Sequence, residues 1–200
     1  VDRQEAHDRI LDAAEQLFYG RGIQAVGMAE IRQASGVSLK RLYQCFASKE
    51  DLVDAYLRRR DQRWHQALAE HIDRHRSPER RLLAVFDFLA AWFDTSDFRG
   101  CAFINAFGEL GAVSTPVAGL ARAHKCALRA QLRALAVEAD AEDAEALADQ
   151  LLLLVEGAIV AAAMRQTHHC PAEQGKAAAR GLLNAHLSTT TPDLSAPPGE

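Results

Sequence analysis

The stretch from Ile31 to Leu52, I-R-Q-A-S-G-V-S-L-K-R-L-Y-Q-C-F-A-S-K-E-D-L, constrains this chain more than any other. It reads as two short helices hinged at Ser35-Gly36-Val37, with Ser48-Lys49-Glu50 opening a third. A tight turn between helices needs a residue that tolerates positive φ, and Gly36 supplies it. Ser38 follows as an N-cap, its hydroxyl placed to accept from the first free backbone N–H groups of the next helix. That helix carries Lys40, Arg41, Tyr43 and Gln44 on its outer side. A short capped helix bearing cations and hydrogen-bonding groups suits a DNA major groove, so the pattern reads as a helix-turn-helix.

The flanking residues extend this into an all-α chain of about nine helices. Ile10, Ala13, Ala14, Leu17 and Phe18 fall at i, i+3, i+4, i+7 and i+8, one apolar helical face that Gly20-Arg21-Gly22 ends. The second helix starts near Gly27 and runs to Ala34, with Ile31 and Ala34 turned inward; the third spans Ser38 to about Phe46 around Leu42. A long helix runs from Ser48 towards His75, and Ser77-Pro78-Glu79 starts another. Further helices are expected over Cys101–Leu110, from Ser114-Thr115-Pro116 to about Glu138, from about Ala141 to Thr167 behind an Asp140 cap, and over Ala172–Leu187. The organisation expected is a helix-turn-helix head over residues 1–47 and a helical body for ligand binding and dimerisation over 48–187. Residues 188–200 have the composition of a disordered tail.

Hydrophobic content of 48% and charged content of 25% suit a globular chain, and no uninterrupted apolar run approaches the roughly 18 residues of a membrane span. The opening V-D-R-Q-E-A-H-D-R is too charged for a signal peptide, and the absence of an initiator Met suggests that a few leading residues are missing. Cys45, Cys101, Cys126 and Cys170 lack CxxC spacing, which fits reduced thiols and a cytoplasmic setting. The formal net charge of −4 is unevenly shared: residues 1–65 are +1 and residues 66–200 are −5. Only charge within about a Debye length, ~8 Å, matters to docking, so the acidic total weighs little against nucleic-acid binding.

At this point the chain resembles the TetR/AcrR family of bacterial transcriptional regulators. The resemblance rests on Ile10-Leu11-Asp12-Ala13-Ala14, Leu17-Phe18, Gly22, Ile31, Ala34-Ser35-Gly36-Val37-Ser38, Leu42-Tyr43, Phe46, Ser48-Lys49-Glu50 and Leu52, in family order, over about the first 60 residues. It implies a homodimer bound to double-stranded operator DNA and controlled by a small-molecule effector. It places Ser38, Lys40, Arg41, Tyr43 and Gln44 on the recognition helix and Lys49 where the family contacts phosphate. The chain departs from the family pattern at Gly27, where a hydroxyl cap is usual, and at Cys45.

In the body, Phe86, Trp92, Phe103 and Phe107 belong to an aromatic set that ordinarily packs as core. The resemblance implies that the same helices line a pocket, so an apolar or aromatic effector is expected there. Asn105, Glu109 and His124 are polar groups on apolar stretches, either orienting that ligand or satisfied internally. Leu147, Leu151, Leu154, Val155, Ala158 and Ala162, with Gly157 among them and Ala178, Leu182 and Leu183 on the last helix, read as a dimer seam, although a subunit core produces the same spacing. Arg58-Arg59-Arg60 reads as a solvated surface. His168-His169-Cys170 reads as a polar loop rather than a metal site, because adjacent rings do not easily share one ion, and neither a metal nor a cofactor is expected. The rival class is an all-α enzyme acting on a small apolar substrate; no nucleophile–base or metal motif supports it, and although Cys101, Glu109 and His124 could in principle meet, no spacing favours that.

Overall fold

Two glycines with positive φ shape the N-terminal head. Gly22 (φ 92) ends α1, Arg3–Arg21, with its N–H on the Phe18 carbonyl, and Gly36 (φ 67, ψ 19) ends α2, Met28–Ser35, with its N–H on Arg32 O at 3.1 Å. The recognition helix α3, Leu39–Cys45, follows from a Ser38 cap. These features come from a computed structural model, which describes residues 2–165 and 169–187. Ile10, Ala14, Ile31 and Leu42 are fully buried at the centre of the head. On α2 the inward residue beside Ile31 is Ser35, and Ala34 is exposed. The polar Ser35 hydroxyl is accommodated because it donates to Arg32 O at 3.2 Å.

The body is α4 (Lys49–Ile72), α5 (Pro78–Phe93), α6 (Ala102–Leu110), α7 (Thr115–Glu138), α8 (Ala144–Met164) and α9 (Pro171–His186). The described residues are therefore all-α, nine helices with no strand and one isolated bridge between Ala141 and Leu187. Ser48, Ser77 and Ser114 each cap the helix that follows, and Asp51 completes a capping box at α4. Asp140 is not the cap of α8. It takes φ 55 just after α7, and Asp143 caps instead, accepting from Ala146 N at 2.9 Å. Glu142 N donates to His186 O at 2.9 Å, so the α7–α8 loop is pinned to the end of α9 before α8 can begin. Residues 166–168, with His168 of the His-His-Cys run, and the expected tail at 188–200 lie outside the described residues.

Polar contacts at three places help to join head and body. Arg59 and Arg60 of α4 are only 16% and 17% exposed, because Arg59 pairs with Asp12 and Glu15 and Arg60 with Glu15, all on α1. The Arg60 guanidinium also lies 4.2 Å from the centre of the Tyr19 ring. Arg59 and Arg60 are thus a joint rather than a solvated surface, while Arg58, 62% exposed and paired with Asp54 one turn back on α4, stays on the surface as expected. The Tyr19 hydroxyl donates to Gly100 O at 2.8 Å and accepts from Arg99 N at 2.9 Å. Glu109 of α6 accepts the N–H groups of Ile23 (3.0 Å) and Gln24 (2.7 Å) in the α1–α2 loop.

Candidate functional site

The recognition helix presents its side chains by local chemistry. Ser38 Oγ accepts the Arg41 N–H at 3.2 Å, which leaves the hydroxyl proton free to donate outward. Lys40, Tyr43 and Gln44 lie at i, i+3 and i+4, all exposed, and Arg41 Nη1 donates to Gln44 Oε1 at 3.2 Å. That bond pre-orders two side chains able to read base edges. Leu39 is 54% exposed beside Tyr43, a position suited to a thymine methyl. Lys49 opens α4, its ammonium 6.0 Å from the Phe18 ring centre. At the Gly27 cap, Glu30 reaches back to accept the Gly27 N–H at 3.0 Å and also receives Arg21, which satisfies the cap's own N–H and leaves the side-chain half of the capping box absent. Cys45 is half-buried against the Arg3 carbonyl of α1.

The body holds a central cavity of about 10 Å³, lined by Arg60, Trp64, Trp92, Cys101, Phe103, His124, Lys125, Leu128 and Ile159. This is room for about one water. Of the expected effector residues, Trp92, Phe103 and His124 line it. The other four are placed elsewhere, each for a physical reason. Phe86 is buried against α9, where a Cβ on Gly175 would stand 2.8 Å from its ring. Asn105 donates to Arg99 O at 2.9 Å, Phe107 is 55% exposed, and Glu109 ties the body to the head. Glu109 is thus held apart from Cys101 and His124. An outer groove of about 380 Å³ shares Arg60, Trp64 and Trp92 with the cavity. A larger open cleft between head and body, about 650 Å³, is lined by Ile23, Val53, Leu110, Val113, Val117 and Leu120 together with Lys49, Glu50, Asp51 and Asp54, a mixed setting suited to an amphipathic ligand.

His124 is 2% exposed, stacked on Phe103 (centroids 3.9 Å apart) and 2.7 Å from Asp61 Oδ1 through Nδ1. Burial pushes its pKa down to about 4, outweighing the favourable Asp61 contact, and Lys125 and His65 act in the same direction as burial. The folded chain therefore holds His124 neutral where the unfolded chain would protonate it. Stability is expected to fall as pH drops from about 6.5 to about 4, by up to about 3 kcal/mol. Urea denaturation of the protein and of His124→Gln across that range checks this; an equal acid slope in both would refute it.

The expected seam residues Leu147, Leu151, Val155, Ala158 and Leu183 are buried within the single chain and belong to its core. Leu154, Ala162 and Leu182 are half-buried. The outward faces carry two of the residues expected in the seam, Gly157 on α8 and Ala178 on α9, together with Leu153 (73% exposed) and Met164 (63%) on α8 and Ala177, Gly181 and Ala185 on α9. By length and composition α8 could cross a membrane, with mean hydropathy 1.8. Yet Asp149 pairs with Arg129 and Glu156 with Lys125 of α7, contacts that hold α8 in the body.

Residues 10–56 match the model of the bacterial regulatory proteins, tetR family. The chain is 40% identical over 101 residues to an HTH-type transcriptional regulator of Mycobacterium tuberculosis, covering 46% of this chain and 50% of that one. It is 37% identical over 93 residues to the HTH-type transcriptional activator FasR of Mycolicibacterium smegmatis, covering 44% and 42%. These matches span about half the length of the curated relatives or less. Over nearly the whole fold, 90% of this chain and 97% of the other, it is 31% identical to a Streptomyces avermitilis protein assigned to the TetR transcriptional regulators, with a TM-score of 0.77. Helix-turn-helix head, all-α body and sequence agree: this chain belongs to the TetR family of transcriptional regulators, not to a class of enzymes.

Proposed function

We propose that the protein is a ligand-responsive repressor that binds a near-palindromic operator as a homodimer in the cytoplasm and is released by a small apolar or aromatic effector. The observation that carries the DNA reading is the outward face of α3, where Lys40, Tyr43 and Gln44 are exposed and Arg41 is ordered by Gln44. Ser38 and Lys49 flank it at phosphate-contacting positions, and the two recognition helices of a dimer would enter grooves about 34–36 Å apart or a longer spacing in phase. The dimer is formed by the outward faces of α8 and α9.

The effector acts on α4. Trp64 of α4 and Trp92 of α5 line both the cavity and the outer groove, so swinging the Trp92 ring merges them into a space a ligand can fill. A ligand that fits only the opened state shifts the population towards it, and α4 carries the change to Lys49 and, through Arg59 and Arg60, to α1. A coupling of about 1–3 kcal/mol weakens operator binding by roughly 5- to 150-fold. Activation is the second reading, favoured by the similarity to FasR; it uses the same DNA contacts.

The test is selection of bound duplexes from a random pool, run with the protein and with Lys40→Ala/Arg41→Ala. A palindromic consensus that disappears in the double variant is expected. No enrichment at low salt from a folded dimer would overturn the reading. A reporter downstream of that consensus then separates repression from activation.

A further inference from the structure

Asp61 and His65 sit one turn apart on α4, and His124 reaches them from α7. One ligating atom from each lies within 4.8 Å of the others. Asp61 Oδ1 is the hub, 2.7 Å from His124 Nδ1 and 3.4 Å from His65 Nε2. The His65 contact lacks hydrogen-bond geometry, so Nε2 is a buried nitrogen with no partner. A buried imidazole nitrogen in that state costs free energy unless something occupies its lone pair. Tetrahedral zinc with N and O ligands at about 2.0–2.1 Å sets its ligand atoms roughly 3.4 Å apart. His65 and Asp61 already stand at that separation, and the His124–Asp61 pair needs to open by less than an ångström.

We propose that Asp61, His65 and His124 form a binding site for a first-row divalent transition ion of the zinc type, clipping α4 to α7. Two imidazoles and one carboxylate match Zn²⁺, Co²⁺ or Ni²⁺, not Mg²⁺ or Ca²⁺, which take oxygen donors. The ion replaces the proton shared between His124 Nδ1 and Asp61, and that proton moves to Nε2. The rings are held in place for this. Trp64 lies edge-on to both histidines at 5.1 Å, and Phe103 stacks on His124. The nearby cations are already engaged, Lys125 with Glu156 and Arg60 with Glu15. Asp61, 37% exposed, opens the site to solvent and leaves a fourth coordination position for water.

The test is titration of the tag-free full chain with Co²⁺, read by visible absorption, alongside equilibrium dialysis against Zn²⁺. One ion per chain with the intense bands of four-coordinate Co²⁺ is expected, together with quenching of Trp64 fluorescence. Asp61→Asn and His65→Gln, which preserve size and polarity, should each weaken binding about 100-fold or more, whereas His71→Gln should not. Circular dichroism confirms that the variants fold. Absent bands, or binding that survives in both variants, would overturn the site. No DNA enters the measurement, so its outcome is independent of the regulator reading.

Discussion

Glu15→Gln is expected to destabilise the protein by about 3 kcal/mol, far more than a surface charge change would. The Glu15 carboxylate is 15% exposed and receives Arg59 (2.7 Å), Arg60 (3.3 Å) and Arg63 (3.0 Å). Glutamine keeps the volume and removes the charge, leaving three guanidiniums converging on a neutral amide. Arg60 is too enclosed to turn to water, so its desolvation is no longer offset, and Arg59 keeps only its bond to the exposed Asp12 carboxylate. Arg63 is 58% exposed and contributes little. The measurement is urea denaturation, with an Arg59→Met/Glu15→Gln double variant to isolate the pair. If the single variant loses less than about 1 kcal/mol, the cluster is not what joins α1 to α4. The joint also bears on the proposed function, since Glu15 is the carboxylate through which both Arg59 and Arg60 couple α4 to α1.

That cluster also shows why some of the molecule was legible in the sequence and some was not. The head was readable because its determinants are local: Gly36 supplies the turn and Ser38 the cap within three residues of each other, and Lys40, Tyr43 and Gln44 share a face by helical spacing alone. Arg59 and Arg60 looked solvated because the Glu15 that holds them is more than 40 residues away. The Asp61–His65–His124 group was missed for the same reason; only the i, i+4 pair on α4 was local, and His124 lies 63 residues from Asp61. The choice of Asp143 over Asp140 as the α8 cap depends on His186 at the other end of the body. Periodicity located the apolar face of α8 but could not say which apolar face turns to the subunit and which away, because both are apolar.

For the proposed dimer that ambiguity has the largest consequence. Leu153→Glu is expected to weaken the dimer by 100-fold or more while leaving the monomer folded. Leu153 is 73% exposed on the middle of α8, so its loss costs the isolated chain almost nothing. In a two-fold interface each residue faces a symmetric surface, so one substitution buries two carboxylates without partners. The neighbouring surface suits close helix approach: Gly157 on α8 has open space where a Cβ would be, as does Gly181 among Ala177, Ala178 and Ala185 on α9. Light scattering should show the protein as a dimer and the variant as a monomer with unchanged helical content. Leu151→Ala is the contrast, since a fully buried leucine should cost about 2–5 kcal/mol of stability whatever the oligomeric state. If Leu153→Glu stayed dimeric and Leu151→Ala dissociated without unfolding, the outward faces of α8 and α9 would not be the seam. A monomeric Leu153→Glu should also lose the palindromic operator while each head keeps its fold, because half-sites are bound tightly only when the two recognition helices are held at a fixed spacing.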